Sequence, residues 1–249
     1  MNEPVVISFV VPAYNEEKVL ARTVAAIIAE IKRAGCTAEV IVVNNASTDG
    51  TGQLAASFPE VIVVDEPQKG LVQARRAGFL RATGELIANV DADTIVTEGW
   101  LSRVLQEYSR NPALVGLSGP YIYYDLSKSA RVAVRAFYVM GYGFYVLNRF
   151  ILRAGSMLQG GNFVVRRTAL EQIGGYNPTF SFYGEDTDLA CRLRAVGAVK
   201  FTFRLPALSS GRRLLEEGLV RTGVRYSMNF VWATFMRRPF TDKWIDIRH

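Results

Sequence analysis

The sequence predicts an α/β domain, a mostly parallel sheet flanked by helices, followed by a C-terminal helical extension. Two observations lead there. Short apolar runs alternate with helical periodicities through the first half of the chain, and each run ends in a polar cluster. A third sets off the extension: residues 204–249 are rich in arginine and carry an amphipathic helical pattern.

The elements follow in order. Residues 5–11 are an apolar run stopped by Pro12 and read as the first strand. Residues 16–34 read as a helix, with Leu20, Val24, Ile27, Ile28 and Ile31 at helical spacing. Residues 40–43 are a second strand, followed by the turn-rich NNASTDG and a helix running into Phe58. Residues 61–64 are a third strand, then come a helix over 70–82, a strand over 86–90 and a helix near 100–110. Strands alternating with helices predict a parallel sheet covered on both faces.

The second half is less regular. Residues 121–125 read as a strand, and 160–167 as a strand entered through glycines. Residues 185–197 form a short helix closed by Gly197. With no Ser/Gly linker, repeat or low-complexity segment, one compact domain over 1–203 is expected, with 204–249 packed on it or on a membrane surface.

Composition sets further bounds. With 49% hydrophobic and 21% charged residues, the chain can bury a sizeable core and is not disordered. Glu3, in place of a positive segment ahead of the first apolar run, argues against a secretory leader. Cys36 and Cys191 lack metal-site or redox-pair spacing, which fits a reducing, cytoplasmic setting. Residues 1–203 hold 20 basic and 19 acidic side chains, and residues 204–249 hold 9 and 4, so the extension carries +5 of the net +6. Such a tail suits a phosphate-bearing partner or the anionic inner face of a plasma membrane, while a solvated helix face is the plain alternative. Nucleic acid is not an expected partner.

Two apolar stretches bear on the membrane. Residues 132–152 contain Arg135, Asn148 and Arg149, leaving too short an apolar core to span a bilayer, which takes about 20 residues. In the tail, Val220, Val224, Met228, Val231 and Phe235 fall on one helical stripe beside Arg221 and Arg225. The stripe fits burial against the domain, the expectation adopted here, or an interfacial helix. The aromatics over 137–145 add weight to membrane contact.

In open parallel sheets ligands bind beyond the carboxyl ends of the strands. Residues 12–17, 44–49 and 91–93 each follow a strand, so all three clusters should meet at one edge. Asp91 and Asp93 flank Ala92, and an extended backbone would place both carboxylates on one side, unfavourably unless a cation intervenes. An all-oxygen set suits Mg²⁺ or Mn²⁺. The single histidine, His249, makes zinc improbable, and a mere turn cap is the alternative for Asp93.

Six segments occur in order: VPAYNEE (11–17), VVNNASTDGT (42–51), KGLVQARRAG (69–78), GELIANVDADT (84–94), GGNFVVRRTALEQIGGY (160–176) and GEDTDLACRL (184–193). Together they resemble a family 2 glycosyltransferase of the GT-A fold, a Rossmann-like sheet, over roughly residues 5–203. The resemblance implies a metal-dependent, inverting transfer of a sugar from a nucleotide-diphosphate donor to a hydroxyl or phosphate acceptor, lipid-linked or in cell-envelope glycan synthesis. It places Pro12, Ala13, Tyr14 and Glu16 along the nucleotide pocket, with Lys69 and Arg75 as its basic segment. Asn45 stands where the family usually carries a base-reading Asp. Asp93 is the implied metal ligand, and Asp91, with Ala92 beside it, lies by the ribose and reaches the metal directly or through water. Gly160, Gly161, Asn162 and Glu185 fall on the sugar and acceptor side, and Asp186 is the implied general base.

Elementary chemistry agrees. A nucleoside diphosphate leaves readily once a cation neutralises its growing charge, and the acceptor hydroxyl needs a carboxylate for its proton. Asp188 is a competing base or a partner of Arg192, and Asp49 reads as a turn or cap residue. Three other classes fit less well. A sugar-phosphate nucleotidyltransferase wants a Gly- and Arg-containing loop where PAYNEE stands, and a dehydrogenase wants G-x-G-x-x-G, which is missing. A non-catalytic nucleotide-sugar-binding module has no use for three such carboxylates.

Overall fold

In the computed structural model, residues 4–147 and 157–241 are described, apart from the side chains of Phe144 and Leu147. Glu3, Asn148, Arg149 and His249, named above, lie outside them.

The main sheet has seven strands: β1 (Ile7–Ala13), β2 (Ala38–Asn45), β3 (Val61–Glu66), β4 (Leu86–Val90), β6 (Leu114–Ser118), β8 (Asn162–Arg166) and β9 (Ala198–Phe201). Their order is β3-β2-β1-β4-β8-β6-β9. β8 alone runs antiparallel to its neighbours β4 and β6, so the sheet is mostly parallel, as expected. β1 and β4 are buried along their whole length, which is why they read as continuous apolar runs rather than alternations.

Helices α1 (Leu20–Ala34), α2 (Thr51–Ala56), α3 (Leu71–Arg81) and α4 (Trp100–Arg110) lie in the expected places. α1 starts four residues later than its apolar pattern suggests. Glu16 is instead drawn into a turn, its N–H donating to Thr51 Oγ1 at 2.8 Å and its carbonyl accepting from Leu20. Leu20, Val24 and Ile27 enter one core cluster with Phe9, Val42 and Trp100, while Val10, Val43, Phe163 and Leu189 form a second on the opposite side of the sheet.

Two features differ from the sequence expectation. A second sheet, β5 (Thr94–Val96), β10 (Ala207–Ser209) and β7 (Tyr121–Tyr123), has β10 in the middle. Main-chain pairing therefore continues past residue 203, where the charge shift put a boundary. The other concerns helix α9 (Leu219–Met236): its apolar stripe is not buried, and Val220 is 80% and Phe235 56% exposed. The buried face carries Thr222, Asn229, Ala233 and Thr234 instead. The reason is a close approach: a Cβ on Gly184, at the start of α7 (Glu185–Arg194), would lie 3.2 Å from the Ala233 methyl, so only small side chains fit between these helices.

Helices α6 (Arg167–Gln172) and α8 (Arg212–Glu217) are short, and α5 (Lys128–Leu147) is long. α5 leans on the β9 edge through Tyr138 against Phe201 (6.3 Å between rings) and Tyr142 against Phe203 (5.3 Å). Among the described residues no helix is long and apolar enough to cross a membrane. Among the described residues neither Cys36 nor Cys191 forms a disulfide.

Candidate functional site

The polar clusters converge as the topology requires. Because β8 is antiparallel, its entry lies beside the carboxyl end of β4, and the Asp91 N–H donates to Gly161 O at 3.3 Å. α7 begins at the same edge. The result is a cavity of about 530 Å³ whose walls include Pro12, Arg75, Asp91, Asp93, Gly160, Glu185 and Asp186.

Asp91 and Asp93 do not share one side of an extended strand. The chain turns after Val90, with the Thr94 N–H donating to Asp91 O at 2.9 Å, and each carboxylate meets its own arginine. Arg75 Nη2 reaches Asp91 Oδ1 at 3.2 Å, and Arg212 Nη2 reaches Asp93 Oδ2 at 3.0 Å. Arg75 is fully buried, also paired with Glu185, and lies over the Phe163 ring. Burial opposes its charge, yet Glu185 and Asp91 hold it protonated. Arg212 also pairs with buried Glu16 at 2.5 Å, which fastens α8 to the end of β1.

The acidic pair at the start of α7 is set deep. Burial pushes the Glu185 carboxyl up to about 7 against the pull of Arg75, and Glu185 Oε2 has no hydrogen-bond partner among the described residues. Asp186 accepts from the Gly160 N–H (3.0 Å, Oδ2) and from its neighbour Thr187 N–H (2.8 Å, Oδ1). Burial raises its carboxyl above the ordinary range, although Arg75 and these N–H donors pull it down. Gly161 adopts φ +73°, and a Cβ there would fall 2.1 Å from Asp91 Cγ, so glycine is required twice over.

Other expected residues serve the frame rather than the cavity. The Asn45 amide donates to Glu66 O (3.0 Å) and Gln68 O (2.8 Å), while its Oδ1 accepts from Gly70 N–H (2.7 Å). These bonds hold the loop before α3, so Asn45 is engaged by main chain rather than presented to a base. Asn162 likewise accepts from Trp100 Nε1 and donates to Gly119 O and Leu205 O, each at 3.0 Å. Ala13 and Ala92 are buried, and Ala92 O accepts from Thr23 Oγ1 at 2.7 Å. Lys69 Nζ stands 3.9 Å from the centre of the Tyr14 ring. Asp188 is buried and paired with Arg192 at 2.7 Å, and Asp49 caps a turn through Thr51.

Two cavity residues escaped the sequence reading. Arg212 lies beyond the recognisable motifs, and its contact with Glu16 joins positions 196 apart in the chain. The Tyr121 hydroxyl donates to Gly160 O at 2.6 Å; burial, with Asp91 nearby, raises it well above the ordinary range and keeps it a donor. The doubled tyrosines of YIYY were its only signal.

This arrangement matches a known pattern. The family model described as glycosyl transferase family 2 covers residues 8–174, about two thirds of the chain. The chain belongs to glycosyl transferase family 2. A second model, the N-terminal domain of galactosyltransferase, matches residues 151–211. Among family relatives, glycosyltransferase GlyG of Streptococcus pneumoniae serotype 4 is 35% identical over 145 residues, covering 56% of this chain and 46% of its own. The dolichyl-phosphate beta-glucosyltransferase ALG5D of Trichomonas vaginalis is 30% identical over 157 residues, covering 57% and 47%. The chain thus spans about half the length of these curated relatives. The mannosyltransferase PcManGT from Pyrobaculum calidifontis, solved with GDP-Man and Mn²⁺, shares the fold with a TM-score of 0.68 at 20% identity, over 95% of this chain and 65% of that one. The GT-A fold expected from the motifs is the fold observed.

Proposed function

We propose that this family 2 member is a metal-dependent, inverting glycosyltransferase that moves a sugar from a nucleotide-diphosphate donor to a hydroxyl or phosphate acceptor. One observation carries the reading: Asp186 sits in the same cavity as Asp91 and Asp93, aimed by the Gly160 and Thr187 N–H groups.

The donor set fits a hard divalent cation. Among the described residues no cluster of three or more His, Cys, Asp or Glu side chains could hold a metal by itself. A cation here would be held by Asp93, with Asp91 directly or through water, and by donor phosphates, which is how Mg²⁺ and Mn²⁺ are commonly bound. When bound, it supplies charge neutralisation to the departing diphosphate.

Asp186 does the rest for a hydroxyl acceptor. Its raised affinity for a proton makes it a stronger base. As the acceptor oxygen bonds to the anomeric carbon, its proton passes to Asp186, and the bond from that carbon to the β-phosphate oxygen breaks. A single displacement inverts the configuration. Asp188, locked to Arg192 and outside the cavity, is not the base.

For the acceptor, the relation to a dolichyl-phosphate glucosyltransferase and the aromatic cavity wall support a lipid-linked substrate. The absence of acidic residues from α5 and α9 supports work at the cytoplasmic face of a membrane.

The test is hydrolysis or transfer of nucleotide sugars with and without Mn²⁺ or Mg²⁺. Activity should need the ion and fall about 10³-fold in Asp93→Ala, the scale of losing an electrostatic stabiliser of the leaving group. Metal-independent turnover would overturn the reading, and donor binding without turnover would restore the binding-module alternative.

A further inference from the structure

Beside the catalytic cavity runs a second hollow of about 420 Å³ between α5 and α9. Its walls are Ala133, Val134 and Phe137 on one side and Val220, Gly223 and Val224 on the other. The two spaces are adjacent, with Tyr123, Tyr138, Gln159, Leu214 and Tyr226 lining both. Several polar groups on this boundary are already engaged. The Tyr138 hydroxyl donates to Gln159 Oε1 at 2.8 Å and accepts from the Tyr121 N–H at 3.2 Å, and Ser227 Oγ donates back to Gly223 O at 2.9 Å. A polar ligand would find few unmet groups there; a hydrocarbon would lose nothing by entering.

Charge narrows the occupant. α5 carries Lys128, Arg131 and Arg135, α9 carries Arg221 and Arg225, and neither contains an acidic residue. Arg213, over the Phe182 ring at 4.7 Å and paired with Glu217, stands in the wall of the cavity that holds Asp186. An uncharged chain running into an anionic head matches both surfaces. A folded partner or second copy could cover the exposed stripe of α9, but would not place a chain end in the cavity of Asp186.

We propose that the α5–α9 hollow binds the single hydrocarbon chain of an anionic amphiphilic acceptor and delivers its head to Asp186. This rests on the glycosyltransferase reading and adds to it a substrate class and a site. Gly223 is the narrow point, since a Cβ there would stand 4.0 Å from the Phe137 ring and a larger side chain would fill the space.

The experiment titrates the full chain with dodecyl phosphate, octyl phosphate and inorganic phosphate, all monomeric, by calorimetry. Four added methylenes should tighten binding about tenfold or more, with inorganic phosphate giving no saturable heat. Gly223→Leu, and independently Ala133→Leu from the other wall, should lower dodecyl phosphate affinity about tenfold while leaving ion-dependent donor hydrolysis unchanged. Equal affinity for the two chain lengths, or undiminished affinity in both variants, overturns the proposal. So does binding confined to phosphatidylglycerol vesicles, which would place lipid on the protein surface. The two readings fail separately: chain-length dependence without donor hydrolysis removes the enzyme reading alone, and hydrolysis without chain-length dependence removes the hollow alone.

Discussion

The two sides of the cavity are built on opposite plans. On the side proposed for the donor, Arg75 and Arg212 are matched to Asp91, Glu185, Asp93 and Glu16, and Asn45 holds a loop through three hydrogen bonds. On the side proposed for the acceptor, α5 and α9 face each other across an apolar hollow with few polar contacts. Charges held by counter-charges are positioned beforehand, so a phosphate bound among them, as proposed, would call for little reorganisation. The opposite wall is shaped by aromatic and small side chains that can adjust to a variable chain. Substitutions on the two sides should therefore act on different measurable quantities.

The largest expected effect tests whether chemistry separates from donor binding. Asp186→Asn should lower transfer about 10³-fold while donor affinity by calorimetry stays within about twofold, since a general base acts only in the transition state. Equal loss of both would show that Asp186 belongs to the donor half. Next is Gly161→Ala, which forces an L side chain to φ +73° and against Asp91. It should cost about 2–3 kcal/mol of stability in denaturant unfolding and weaken the donor side first. A neutral result would mean the β4–β8 junction is pliable.

A smaller effect concerns Glu185. Its folded value of about 7 lies above the ordinary value of 4.5, so the folded state holds the proton more tightly. Its contribution is complete below about pH 4.5 and is lost as pH rises toward 7. Without divalent ion or nucleotide, wild type should lose on the order of 1–3 kcal/mol relative to Glu185→Gln between pH 4.5 and 7, measured by denaturant midpoints. A constant difference would mean that Arg75 keeps Glu185 ionised throughout. The smallest effect belongs to the outer face of α9: Val220→Ser and Phe235→Ser should change stability by no more than about 0.5 kcal/mol, as surface substitutions do. A loss of 1.5 kcal/mol or more, about that of burying such a side chain, would restore the buried stripe.

That last comparison shows where sequence patterns inform and where they mislead. β1 and β4 are legible because a strand covered on both faces is mostly apolar, with Ser8 and Asn89 as hydrogen-bonded exceptions, and the polar clusters at their ends are legible because the topology leaves them one edge. The three-residue strands β5 and β10 carry too few positions for a period. α9 misleads because its contact with Gly184 selects for smallness rather than hydrophobicity, so Ala233 and Thr234 are buried while Val220 is not. Arg212 and Tyr121 are invisible for another reason: their partners are far along the chain, and neither residue type announces such a contact.

The antiparallel course of β8 carries a mechanical consequence. It brings Gly160 and Gly161 between the two chemistries, with Gly160 N–H on Asp186 and Gly161 O on Asp91 N–H. Consecutive Cα atoms across a trans peptide are fixed at about 3.8 Å. The Asp91 N–H and the Asp186 carboxylate are thereby tied to two adjacent residues, so a single short covalent link lies between the β4 end and the α7 start. Arg75 ties the same two elements a second time by pairing with both Asp91 and Glu185, so displacing the α7 start from the β4 end would strain both links at once.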